Sequence, residues 1–243
     1  MNGLVDAAIR SARVRLVTDS EHHTLLVQGA IAKAKVSLWI ATANVKEMML
    51  EAPVGTVARA RGRYVSILET FSELARKGVE LRFLHAGTPS RAFRTTFAST
   101  PRLATKLAMR QCPRVHLKLV AIDGRWLYLG SANFTGAGLG AKSEGRRNFE
   151  MGILTEDDVL LDAAQARFDA VWSGKECGTC RLRKECPRPI DLYANGRKDA
   201  GPPTKKPPAK ASPGRTPPTK TAGGKPRQKA LRSGKRRLAI TTR

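Results

Sequence analysis

Hydrophobic positions along the chain recur at helical spacing in some stretches and form short β-rich runs in others, and the two kinds alternate. Residues 24–35 set Leu25, Leu26, Ile31 and Ala32 at mixed helical spacing, and 36–42 follow as an apolar run around Trp39. This predicts a helix and then a strand. Residues 57–77 carry Val57, Tyr64, Ile67, Leu68, Phe71, Leu74 and Ala75 on a helical stripe that stops at Gly78, a common C-terminal signal, before 79–85 resumes as a strand. A further helical stretch over 89–110 leads to strands at 115–122 and 126–129, joined by Asp123-Gly124, a strong hairpin signal. Residues 148–154 read as another strand and 157–172 as a closing helix. Alternation of this kind predicts an α/β layer fold.

Composition supports a folded body with an appendage. Of 243 residues, 41% are hydrophobic and 26% charged, which is enough to close a core and excludes a wholly disordered chain. The charge balance is less ordinary, since 44 Lys and Arg stand against 20 Asp and Glu for a formal net of +24. Such an excess calls for an anionic partner, nucleic acid or an anionic membrane surface, and DNA is the favoured expectation. Residues 197–243 hold 15 of the cations against the single acid Asp199, together with 8 of the 14 prolines and no aromatic residue. That stretch is expected to be disordered and to act as a nucleic-acid arm, the plainer reading being a solvated linker. Three segments follow: a folded domain at 1–175, a Cys-rich segment at 176–196 and the basic tail at 197–243.

Residues 1–17 are too charged for a signal-peptide core, and no window approaches the roughly 18 apolar residues of a membrane span. With four cysteines that lack the spread of a secreted disulfide framework, a cytoplasmic protein is expected.

The chemistry concentrates on the hairpin, where His116-x-Lys118-x4-Asp123 precedes Gly130-Ser131-x-Asn133. Period-2 alternation would place His116 and Lys118 on one face, so that an imidazole and an ammonium share a pocket suited to phosphate. The Ser131 hydroxyl and Asn133 amide add neutral donors, and His116 offers a nitrogen able to attack phosphorus or protonate a leaving oxygen. The plainer reading is a core histidine beside a snorkelling lysine.

These residues resemble the signature of the phospholipase D superfamily, which they match at every position. The resemblance implies a mixed β-sheet flanked by helices on both faces, and phosphodiesterase activity. It also implies that His116 serves as nucleophile or acid, that Lys118 and Asn133 hold phosphate oxygens, that Ser131 bonds within the site and that Asp123 holds loop geometry. The glutamate that orients the histidine in this family corresponds to Glu150, in Asn148-x-Glu150, beyond an apparent inserted loop at 136–147. Family enzymes use two such motifs and this chain has one, so the resemblance implies a homodimer with a shared site, as in the single-motif nucleases. It also implies a phosphohistidine intermediate and no metal cofactor for catalysis. Phospholipid cleavage and catalytically silent nucleic-acid binding are the alternative expectations. His85, at a predicted strand end, and the adjacent His22 and His23 read as structural.

A second cluster, Cys177-x2-Cys180-x5-Cys186, is a nest of soft ligands for zinc or an iron-sulfur cluster. Its spacing is similar to the three-cysteine cluster site of some CRISPR-associated and recombination exonucleases, where a distant upstream cysteine is the fourth ligand, and that resemblance implies Cys112 for the place. The thiols could equally carry no metal.

Overall fold

The computed structural model describes residues 11–51, 64–186 and 188–192. The tail at 197–243 and the first residues of the helix expected over 57–77 lie outside them. Nine strands are described: β1 Val14–Thr18, β2 Ser37–Thr42, β3 Met49–Glu51, β4 Tyr64–Ser66, β5 Glu80–His85, β6 Leu107–Gln111, β7 Leu119–Ile122, β8 Trp126–Gly130 and β9 Met151–Thr155. Seven form one mixed sheet in the order β1-β9-β8-β7-β2-β5-β6, while β3 and β4 make a separate hairpin. Neighbours β2, β5 and β6 run parallel, and the remaining pairs of the sheet are antiparallel.

Both faces of this sheet are covered, which gives the three-layer α/β arrangement. Alternate side chains of the central strands go to opposite faces, as the pleat requires. Leu38, Ile40, Phe83, Val120 and Ile122 join one core with helix α1 (Ile67–Arg76) and helix α2 (Arg91–Ala98), while Ala41, Leu84, Leu119, Ala121 and Leu127 join another with Leu161, Phe168 and Trp172 of α4 (Asp158–Trp172). Helix α1 starts where the Ser66 side chain accepts from the Leu68 amide, and α4 starts where Asp157 accepts from Leu160. Among the described residues no helix is long and apolar enough to cross a membrane.

The structure corrects four expectations. The stretch 89–110 is not one helix: α2 ends at Ala98, the short α3 (Pro101–Ala104) follows, and Leu107–Gln111 is strand β6. Leu103 and Leu107 fit a helical repeat, but Leu107 and Met109 face one core and Ala108 the other, so the two-residue period prevails once β5 offers its parallel edge. The helix expected at 24–35 is a wide π-helix, His22–Gln28, followed by a tight turn at Ile31–Lys33. The helix expected from 57 begins at Ile67, because Tyr64–Ser66 pairs with Met49–Glu51. The strand expected over 115–122 joins the ladder only at Leu119. Strand β1 is an unforeseen edge strand, paired along its whole length with β9.

Candidate active site

Sheet register gathers the motif residues at one end. Strand β7 begins opposite Ala41 near the C-terminal end of β2, so His116 and Lys118, just before it, stand at that end beside Thr42 and His85. Strand β8 runs back antiparallel and delivers Ser131 and Asn133 to the same end, and the Gly130–Gly152 pairing sets Glu150 beside them. Thr18 pairs with Met151, so the β1 terminus adds Asp19.

The Lys118 Nζ lies 3.0 Å from both ring nitrogens of His116 and 3.0 Å from the His116 carbonyl oxygen. Segment 115–118 precedes β7 and is held to β8 where the Gly130 amide donates to the Lys118 carbonyl at 3.2 Å, and the two side chains still meet as the two-residue spacing predicts. Loss of hydration holds the Lys118 ammonium below the ordinary lysine pKa, with the Glu150 carboxylate pulling the other way. His116 is exposed, so the pair sits at an open rim.

Asn133 is oriented by its surroundings. Its Oδ1 accepts from the Asn44 amide at 3.1 Å and lies 3.3 Å from the Thr42 hydroxyl, which itself accepts from the Phe134 amide. With the oxygen engaged, the amide NH2 is the end left to donate to an incoming anion. Ser131 donates to Glu150 Oε2, Asn148 donates to Oε1 at 2.9 Å, and the Met151 amide donates to the Ser131 oxygen at 3.1 Å. Both carboxylate oxygens of Glu150 are therefore engaged by neutral donors. Its backbone exchanges two bonds with Asp19, whose amide donates to the Glu150 carbonyl and whose Oδ1 accepts the Glu150 amide, each at 3.0 Å.

Asp123 stands at the other end of β7, at the hairpin turn, with a φ of 58°. Its carboxylate accepts from the Lys35, Val36 and Ser37 amides at 2.7–3.0 Å. Burial opposes its ionisation, yet these three donors outweigh that and hold its pKa below the ordinary aspartate range. It ties the hairpin to the start of β2, at the opposite end of β7 from His116 and Lys118. His85 is buried, donates from Nδ1 to the Gly87 carbonyl at 2.9 Å, and is pushed by burial below the ordinary histidine pKa, which fits a structural role.

Two residues underlie the site: His22, read from the sequence as structural, and Tyr128, which the sequence did not single out. His22, wholly buried, and Tyr128 are bonded across 106 residues, His22 Nε2 to the Tyr128 hydroxyl at 2.9 Å. The Tyr128 ring lies against Gly130 and Gly152, and a Cβ on Gly152 would stand 2.5 Å from it. That pair of small residues flanking the motif is the only sequence signal for a side chain passing beneath.

Beside His116 is a cavity of about 290 Å3 lined by Cys112, Arg114, His116, Arg167 and Glu176 among others. Cys112 and Cys177 pack against the same hydrophobic core, so the Cys-rich segment folds back on the strand end that leads into the motif. Among the described residues no three His, Cys, Asp or Glu side chains stand in a ready ligand shell.

The family model described as cardiolipin synthase, PLD-like domain, matches residues 27–172. No curated protein matches the chain. Among solved structures, the chain is similar to Nuc from Salmonella typhimurium, described as a phospholipase D family member, at 19% identity over 67% of this chain and 95% of that one, with a TM-score of 0.47. It is also similar to NucT from Helicobacter pylori, at 15% identity over 65% of this chain and 94% of that one with a TM-score of 0.44. Phosphatidylserine synthase from Haemophilus influenzae Rd KW20 matches at 15% identity over 66% of this chain and 39% of its own, with a TM-score of 0.42.

Proposed function

This chain belongs to the phospholipase D-like family, and on that premise we propose that it is a nuclease that hydrolyses nucleic-acid phosphodiesters in a site shared by two copies. The observation that carries this reading is a set of phosphate donors gathered at one end of the sheet, Lys118 Nζ against His116 and an Asn133 amide whose oxygen is already engaged, on a chain of net charge +24. Lys118 and Asn133 bind the non-bridging oxygens. A ring nitrogen of His116 attacks phosphorus, a P–N bond forms and a P–O bond breaks, and the leaving oxygen takes a proton from His116 of the partner subunit. The partner's His116 then removes a proton from water, whose oxygen attacks phosphorus and breaks the P–N bond, returning both imidazoles to their starting states. Every step is carried by imidazole, ammonium and amide groups, so no divalent metal is required.

A second copy is favoured by a surface as well as by the motif count. Val14, Leu16 and Met151 share the sheet face that the register of β1 and β9 defines, all three are exposed, and Phe149 beside Glu150 is 97% exposed. An apolar edge next to an incomplete site fits a two-fold partner better than open solvent. A cytoplasmic location is part of the same reading.

The test is incubation of the purified protein with plasmid, single-stranded oligonucleotide, RNA and phosphatidylcholine vesicles in EDTA, beside His116→Ala. Nucleic-acid cleavage by wild type alone supports the reading. Cleavage of the phospholipid and of none of the nucleic acids overturns it, as does activity that needs added Mg2+.

A further inference from the structure

We propose that Cys112, Cys177, Cys180 and Cys186 together bind one zinc ion, which fastens the C-terminal segment to the turn that leads into His116. Three of the thiols lie in one short run of turns, where the Cys177 amide donates to the Gly174 carbonyl and the Cys180 amide to the Cys177 carbonyl. The fourth comes from 65 positions upstream of the first. Cys112 sits where β6 ends, its amide bonded to the His85 carbonyl at 2.9 Å and its carbonyl to the Val115 amide at 3.0 Å. The fold brings these two distant pieces together: Cys112 and Cys177 share a core, the three C-terminal thiols all lie close enough to interact electrostatically with Cys112, and the Arg114 side chain engages the Cys180 sulfur. None of the four forms a disulfide, and each is partly accessible.

Four thiols from two chain segments, without a disulfide among them, match the donor set of a closed structural zinc site, in which four thiolates surround one ion at about 2.3 Å. Among the described residues the sulfurs do not stand in a ready shell, and rotation about the Cα–Cβ bonds is the movement that redirects them. Four thiolates on Zn2+ leave a net charge of −2, and the guanidinium of Arg114 at Cys180 is placed to offset it. The site is separate from the His116 chemistry, which uses no metal, but it bears on that chemistry through the turn at 112–115 that positions His116.

The experiment is elemental analysis of the full-length protein purified anaerobically without chelator, with thiol titration in the folded state. The expected result is one zinc per chain and four thiols that react only after a strong chelator is added. Cys180→Ser should lose most of the zinc, and Arg114→Ala should keep it. Replacement of zinc by Co2+ should give the sulfur-to-cobalt charge-transfer absorption of a four-thiolate site. Zinc well below one per chain with four freely reacting thiols in wild type overturns the proposal. Iron with acid-labile sulfide in place of zinc overturns it too.

Discussion

The imidazole of His22 receives the hydroxyl proton of Tyr128 beneath the motif. The Asp19 carbonyl, 3.0 Å from His22 Nδ1, can only accept, so Nδ1 carries the ring proton and Nε2, 2.9 Å from the Tyr128 oxygen, is the acceptor. The Ala132 amide donates to the same Tyr128 oxygen, which links the turn between Ser131 and Asn133 to a buried strut. Tyr128→Phe leaves His22 Nε2 and the Ala132 amide without a partner and should cost about 1–3 kcal/mol. Burial, aided by the Glu150 charge and partly opposed by the Ala132 amide, pushes the Tyr128 hydroxyl up to about 12. The folded chain then holds a proton that the unfolded chain releases near its ordinary value of about 10, so this stability is full below pH 10 and is lost as pH rises toward 12. Denaturant titrations of wild type and Tyr128→Phe at several alkaline pH values should show a shallower decline in the variant.

The phosphate donors should act mainly on the chemical step. Lys118→Met and Asn133→Ala should each lower kcat by about 10²–10³, the usual effect of removing one preorganised donor, with a smaller change in oligonucleotide Kd. Because loss of hydration keeps Lys118 below an ordinary lysine, its deprotonation should cut kcat on the alkaline side at a lower pH than about 10.4. Lys118→Arg, which stays charged there, should remove that limb from the profile if it retains activity. A pH–rate comparison of the two proteins checks this.

Legibility in the sequence followed the range of the interactions. His116, Lys118, Ser131 and Asn133 stand in two compact runs, so a local pattern exposes them, and the two-residue spacing already implies the Lys118–His116 contact. Glu150 was within reach through Asn148-x-Glu150, although a loop separates it from Asn133. Asp19 and Tyr128 carried no such mark, because the Asp19 bonds cross from the end of β1 to Glu150 before β9 and the Tyr128 bond crosses from β8 to the π-helix, while His22 reads as structural in a sequence that does not show its partner. Strand β6 was hidden for a related reason: its two-residue alternation is only five residues long and overlaps a helical repeat from α3, so the parallel edge of β5 chooses between them.

Asp123 should govern acid stability. Asn retains the tolerance for a positive φ at this turn, so Asp123→Asn tests the charge and its three amide donors with little backbone penalty. The folded pKa is depressed, so the contribution is full above the unfolded value of about 3.9 and is lost as pH falls through the lower folded value. The variant should be less stable at pH 7 by about 1.5–3 kcal/mol, the range for hydrogen bonds to a charged group, and its stability should fall less steeply below pH 5. Equal slopes for both proteins in acid unfolding followed by circular dichroism would count against this account.

The dimer reading predicts a coupled loss. Leu16→Asp with Phe149→Asp places two charges on the exposed apolar edge and should give a folded monomer by light scattering whose cleavage rate is down by at least 10²-fold, because the partner histidine supplies general acid–base catalysis of about that size. Mixing wild type with excess His116→Ala should lower activity beyond dilution, since mixed dimers lack one of the two imidazole roles. A wild-type chain that is monomeric and fully active would refute the shared site.

The tail at 197–243 lies outside the described residues, and its expected role rests on its composition. Fifteen cations with no aromatic residue can touch phosphates but supply no stacking platform, so binding through it should carry no sequence preference. Each phosphate neutralised by such an arm releases condensed counterions, which makes affinity fall steeply with salt. Removing 197–243 takes away no motif residue, so the thermal transition and the rate at saturating substrate should be kept. Oligonucleotide binding should weaken most at low salt, and the slope of log affinity against log salt should flatten by about 0.7–0.9 for every phosphate that the tail no longer neutralises. Fluorescence anisotropy of the truncated and full-length proteins from low to physiological salt measures that slope. Identical slopes would make the tail a linker and leave the remaining basic surface of the chain to account for all nucleic-acid binding.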